Sequence, residues 1–216
     1  MKLGVLGTGT VGQAIGSKLV ALGHEVKMGS RSATNEKAAA WVKAAGKGAS
    51  QGTFADAAAF GEVVFSCTSG AGTVDAAIAA GQANLRGKIL IDVSNSLDGS
   101  KGFPPSLFTG NTDSLGEQLQ RALPETKVVK SLNTVTAKLM VDPRSLADGE
   151  HDIFVSGNDA AAKGRVAELL RDWFGWKHVV DLGDITTARG TESYVALWVR
   201  LYGATKTSLF NVKLVR

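Results

Sequence analysis

The sequence has little cysteine, no block of like charge and no long apolar run. Its single cysteine, Cys67, rules out an internal disulfide and fits a reducing compartment, so a cytoplasmic location is the expectation. No uninterrupted apolar stretch approaches the roughly 18 residues that a spanning helix needs, and no membrane partner is expected. Glycines interrupt LGVLGTG near the start, leaving too short an apolar region for an export signal. Lys and Arg number 24 against 20 Asp and Glu, for a formal net charge of +4. Because the basic residues are scattered, a nucleic-acid surface is not expected; small acidic molecules are the partners that suit this balance.

Several catalytic signatures are also missing. The chain has no GxSxG elbow, HExxH, CxxC or GxxxxGK[ST] loop. His24, His151 and His178 are far apart, are expected at the surface or in loops, and predict no metal site. No side chain stands out as the acid or base that alcohol oxidation requires, and no catalytic residue is assigned. Hydride transfer between two ring cofactors makes no such demand, since the protein chiefly holds two planar rings face to face.

Short apolar runs alternate with stretches of helical period, the βαβ pattern of a parallel sheet covered on both faces. Strands are expected at Lys2 to Leu6, Glu25 to Met28, near Ala49, Val63 to Cys67, Lys88 to Val93, Lys127 to Ser131, Asp152 to Val155 and His178 to Asp181. A turn-rich surface loop is expected over Asp98 to Thr112, a helix over Ala160 to Phe174, and one or two helices over Thr186 to Phe210. The fold class is therefore α/β: a Rossmann-type doubly wound, mostly parallel sheet in residues 1–182, followed by a C-terminal helical segment, 183–216.

Gly7-Thr8-Gly9-Thr10-Val11-Gly12 follows the first strand and opens the first helix, the context that makes such a run specific for a dinucleotide. Gly7 permits the tight turn, Gly9 has no Cβ to block a pyrophosphate, and Gly12 lets the helix pack closely. The helix start adds free N–H groups and partial positive charge. An NAD site carries a carboxylate at the end of the second strand; here Ser30-Arg31 stand in that place. A guanidinium suits a 2′-phosphate, so NADP is expected over NAD, the alternative being that Arg31 merely points to solvent. Thr68 is small and polar beside the nucleotide. Asn95 and Asn133 fall near the nicotinamide, where each either meets the carboxamide or makes an Asx turn or helix cap.

LGHEVKMGSR, KVVKSLNTVTA and VVDLGDITTARGTES, with the glycine run, give the chain a resemblance to the NADPH-dependent reductases of the deazaflavin coenzyme F420. KILIDVSNS and KSLNTVTA are also similar to the cytosolic NADPH-binding domain of STEAP-type metalloreductases, which passes hydride to a flavin. The resemblance implies an NADP site at Thr8, Gly9, Thr10 and Val11, at Ser30 and Arg31, and at Thr68. Asn35 falls at the spacing of a family lysine, Lys37 lies two residues beyond it, and Asn133 replaces a histidine. Coenzyme F420, FMN or FAD is the implied hydride acceptor, with a homodimer built partly by the C-terminal helices. The acceptor pocket is expected near Glu192, Trp198, Arg200 and Tyr202; Lys206, Lys213 and Arg216 either meet an acidic cofactor tail or lie on a solvated face. A flavin or ferric reductase is the alternative within the same class, and a protein that binds or senses NADP(H) without turnover is the alternative outside it.

Overall fold

The computed structural model describes residues Met1–Val215. In its first half β1 (Lys2–Leu6), α1 (Thr10–Ala21), β2 (Glu25–Ser30), α2 (Glu36–Ala45), β3 (Ala49–Thr53), α3 (Phe54–Phe60), β4 (Val63–Ser66), α4 (Gly70–Ala80), α5 (Gln82–Leu85) and β5 (Ile89–Asp92) follow one another. The second half holds β6 (Leu97–Asp98), β7 (Ser106–Leu107), α6 (Leu115–Ala122), β8 (Lys127–Ser131), α7 (Ala137–Val141), β9 (Asp152–Ser156), α8 (Ala160–Leu169), β10 (His178–Gly183) and α9 (Ala188–Thr205).

Eight strands form one sheet in the order β10-β9-β8-β5-β4-β1-β2-β3. The six from β3 to β8 are parallel, whereas β9 pairs antiparallel with β8, and β10 follows β9 in its reversed direction. The strands read as continuous apolar runs because helices cover both faces. Leu3, Val5, Phe65, Ile91 and Val129 pack toward α1, α2, α7 and α8, while Leu6, Val64, Leu90 and Val128 pack toward α3, α4 and α6. Because β1, β2, β4, β5 and β8 run parallel, the chain turns that follow them lie along one edge, where a doubly wound sheet takes its ligand.

The helix expected over Ala160 to Phe174 is α8 plus a π-type turn, Leu170–Phe174, ended by Gly175 in the left-handed region at φ 87°. That turn directs Trp176 inward, where its Nε1–H donates to the Met140 carbonyl at 3.0 Å. The C-terminal helix stops at Thr205 because Lys206 adopts φ 56°, so residues 207–210 leave the helical path. The tail then runs beside β9, with the Asp152 N–H donating to the Val212 carbonyl. His151 lies in a loop, one of the two placements expected for it, but is buried there, edge-on to Trp176 and hydrogen-bonded to the Pro143 carbonyl and to Asn211. Lys213 pairs with Glu150, and Arg216 lies outside the described residues. The loop over Asp98 to Thr112 is largely irregular, pinned by the β6–β7 pairing. Among the described residues no helix is long and apolar enough to cross a membrane.

Candidate functional site

The three glycines differ sharply in their surroundings. Gly7 has φ 119°, and a Cβ there would lie 2.6 Å from the Cys67 carbonyl oxygen; its N–H donates to the Gly29 carbonyl at 2.9 Å. The β1 turn is thereby pressed between the ends of β4 and β2. Gly12 is just as crowded, since its Cβ would come within 2.2 Å of the Gly7 carbonyl oxygen. Around a Cβ on Gly9, by contrast, nothing lies within 4 Å. The structure thus holds α1 tight against the turn and leaves the approach to its first turn open.

A cavity of about 710 Å³ occupies that approach. Gly7, Thr8 and Gly9 form one wall, Ser30, Arg31 and Ser32 a second, and Thr68 and Ser69 a third. Helices α2, α3, α6 and α8 each have a first-turn N–H capped by a side chain, from Asn35, Thr53, Ser114 and Asp159. The starts of α1 and α4, which flank the cavity, have no side-chain cap and no acid in the first turn. Their unpaired N–H groups and aligned dipoles favour an anion. Thr10, Val11 and Gly12 lie just beyond the cavity wall, within the first turn of α1.

At the end of β2 the structure reassigns the hydroxyls. Ser30 is buried, and its Oγ donates to the Ser32 carbonyl at 2.5 Å and accepts from the Ser32 N–H, closing the turn on itself. Ser32, passed over in the sequence, is exposed at the cavity mouth, and its hydroxyl shares a hydrogen bond with that of Thr34. Arg31 is exposed on the same wall, and no ion pair or hydrogen bond ties its guanidinium to a described residue. Asn35 also lines the cavity while its Oδ1 caps α2; Lys37 does not line it.

Asn95 and Asn133 are brought together, but away from that cavity's wall. The Nδ2 of Asn95 donates to the Asn133 carbonyl at 2.9 Å, and the Nδ2 of Asn133 donates to Asn95 Oδ1 and to the Thr191 carbonyl, both at 3.0 Å. This clasp ties the turns after β5 and β8 to α9, an arrangement different from either an Asx turn or a helix cap. A buried ionic cluster lies beneath it. Lys130 Nζ is 2.8 Å from both Asp92 Oδ2 and Glu192 Oε1 and donates to the Ser94 carbonyl, all three side chains being at most 1% exposed. Glu192 also accepts from the N–H groups of Leu115 and Gly116 at the start of α6. Burial alone would depress the Lys130 ammonium, but the two carboxylates outweigh it and hold it above its ordinary value. Burial raises the Glu192 carboxyl against the pull of Lys130, with repulsion from Asp92 adding to the rise.

Three further hydroxyls stand along the same edge. Thr68 Oγ1, Ser94 Oγ and Thr134 Oγ1, beyond the ends of β4, β5 and β8, are buried without a hydrogen-bond partner among the described residues. Such atoms are costly unless a ligand or solvent satisfies them. Cys67 lines the large cavity, but burial, with Asp92 nearby, pushes its thiol far up, so it stays protonated and inert. A second cavity of about 220 Å³ opens beside Thr134, Thr191 and Tyr194. The C-terminal aromatics expected to form such a pocket instead stack on one another: Trp198 lies 5.8 Å from Tyr202 and 5.2 Å from Phe210. Arg200 donates to the Ala196 carbonyl of its own helix, and Glu192 belongs to the buried cluster.

Comparison with known proteins gives this geometry a context. A family model described as NADP oxidoreductase, coenzyme F420-dependent, matches residues 2–96. A crystal structure from Arthrobacter sp. FB24, provisionally assigned as an F420-dependent NADP reductase, is 51% identical, with TM-score 0.94 over 100% of both chains. Metalloreductase STEAP3 of Rattus norvegicus is 30% identical over 194 residues, 89% of this chain. The chain spans 36% of that relative's length. A reductive aminase from Aspergillus terreus, solved with NADPH and ethyl levulinate, shares the fold at 20% identity and TM-score 0.66, over 95% of this chain and 62% of its own. With a half-identical relative matched end to end and the glycine turn inside the family segment, the chain belongs to the coenzyme F420-dependent NADP oxidoreductase family and is an NADP-dependent oxidoreductase.

Proposed function

We propose that the protein moves a hydride between NADP(H) and a second ring cofactor, coenzyme F420 or a flavin such as FMN or FAD. The observation that carries this reading is the 710 Å³ cavity, in which two uncapped helix starts face Arg31 and no carboxylate stands at the end of β2. The first turn of α1 would hold the pyrophosphate, with Gly9 giving it room, and Arg31 with Ser32 would hold the 2′-phosphate. Thr68 and the Asn95–Asn133 clasp would border the nicotinamide end. When bound, NADPH supplies the hydride and the second ring accepts it. The chain's own part is to bind, orient and exclude water: Thr68, Ser94 and Thr134 offer hydroxyls along the strand ends, and the clasp keeps α9 seated above them. The smaller cavity beside Thr134 and Tyr194 supports an acceptor on that side. The likeness to a metalloreductase favours a flavin or ferric acceptor as the second reading.

The test mixes protein and NADPH with coenzyme F420, FMN, FAD or a ferric chelate in turn and follows absorbance of the nicotinamide band. Oxidation with the deazaflavin or a flavin is the expected result. Tight NADPH binding without oxidation by any acceptor would sink the enzyme reading in favour of a binding or sensing protein.

The glycine turn offers a second check. Gly9→Ala adds a methyl group where no atom stands in the way, at a backbone of φ −77° that any residue adopts. Its stability is expected to stay within about 0.5 kcal/mol of the parent while NADPH binding falls. Gly12→Ala must push α1 off the turn, at a cost of about 1–3 kcal/mol. Denaturant titration and NADPH calorimetry on both variants separate the two effects; equal stability losses would show that the open approach at Gly9 has been misread.

A further inference from the structure

One acidic side chain lines the cavity assigned to an anionic dinucleotide. Gly72, Asp75, Ala76 and Ala79 share the face of α4 turned to it, at the i, i+3, i+4, i+7 spacing of one helix stripe. Three of the four are glycine or alanine, so a flat group can lie close to the helix, and Phe54 of α3 adds an apolar neighbour. Asp75 is the one residue of this stripe with a polar side chain. It is exposed, and no hydrogen bond or ion pair joins it to a described residue, Arg31 included. A carboxylate beside phosphates would repel them, so its place in the cavity suits a part of the ligand that carries no phosphate and presents an N–H or O–H donor. The 6-amino group of adenine is such a donor, and the small apolar stripe suits the face of a purine.

Resting on the NADP reading of this cavity, we infer that Asp75 is a specificity-determining residue that accepts a hydrogen bond from the adenine amino group and selects adenine over bases with an oxygen at that position. The hydride-transferring half of the dinucleotide is untouched by this contact, so the residue governs affinity and leaves the chemistry alone.

Reduced nicotinamide hypoxanthine dinucleotide phosphate tests the inference, because it places a carbonyl oxygen where adenine has its amino group and keeps every phosphate. Calorimetric titration of the parent protein should give a Kd for this analogue about tenfold or more above that for NADPH, the size of one hydrogen bond to a charged group. In Asp75→Ala the ratio should fall below about threefold. In Asp75→Asn, whose amide can both donate and accept, it should also fall below about threefold while NADPH affinity is largely kept. A parent ratio under threefold, or an Asp75→Ala ratio that stays above it, overturns the assignment while leaving the NADP site standing. Failure of the parent protein to bind either dinucleotide overturns the NADP reading itself.

Discussion

Replacing Lys130 with methionine is expected to lower the stability of the protein by about 3–5 kcal/mol, the usual cost of removing one partner from a buried ion cluster. Methionine fills a similar volume, so the loss comes from charge. Asp92 and Glu192 would be left facing each other with no cation, at most 1% exposed, and with the Ser94 carbonyl losing its donor. The remaining donors, the Ser94 N–H to Asp92 and the Leu115 and Gly116 N–H groups to Glu192, offset only part of that repulsion. For a chain of this length the loss corresponds to a fall in Tm on the order of 10 °C. Adding Asp92→Asn to Lys130→Met removes one of the two orphaned charges and should recover a measurable share. Guanidinium titration of the three proteins gives the comparison; a Lys130→Met variant within about 1 kcal/mol of the parent would mean the cluster is not charged as drawn.

The second large effect is on ligand choice. Arg31→Ala should weaken NADPH by tenfold or more, from the loss of charge-assisted hydrogen bonds worth about 1.5–3 kcal/mol, and leave NADH within about twofold. The side chain is free to make those bonds because no described carboxylate or carbonyl holds it. Lys37→Ala is the control, since Lys37 is close in sequence and does not line the cavity. Equal losses for the two dinucleotides would show that the 2′-phosphate goes elsewhere.

How much of this was legible in the sequence depended on whether the signal was local. The glycine run and the arginine after β2 could be read because a strand, a tight turn and a helix start sit within a few neighbouring residues. The reversal of β9 could not, because Asp152 to Ser156 has the same apolar strand composition whichever way it points, and only its pairing with β8 sets direction. Likewise Ser30 and Ser32 are equal candidates as residue types; the hydrogen bond that closes the turn decides which hydroxyl is spent. The Asn95–Asn133 clasp joins residues 38 positions apart, and Lys130 meets Glu192 from the far end of the chain. A hint of the ionic cluster was nevertheless present: charges inside the apolar strands KILID and KVVKS, where both faces are covered, call for buried partners. Asp75 gave no such hint, since an acid on an alanine-rich helix ordinarily faces solvent.

Glu192 and the Asn133 contact at Thr191 both fall in the first turns of α9, whereas its other end meets the rest of the molecule through aromatic contacts of Tyr202 with Phe103 and of Trp198 with Phe210. The helix is therefore held by charge and hydrogen bonds at its inner end and by apolar contact, including the buried Val195 and Val199, further out. Because α9 lines the small cavity beside Thr134 only through Gly190, Thr191 and Tyr194, the anchored end of the helix sets the shape of that cavity, and changes in the outer half act instead on the packing around Phe103 and Phe210.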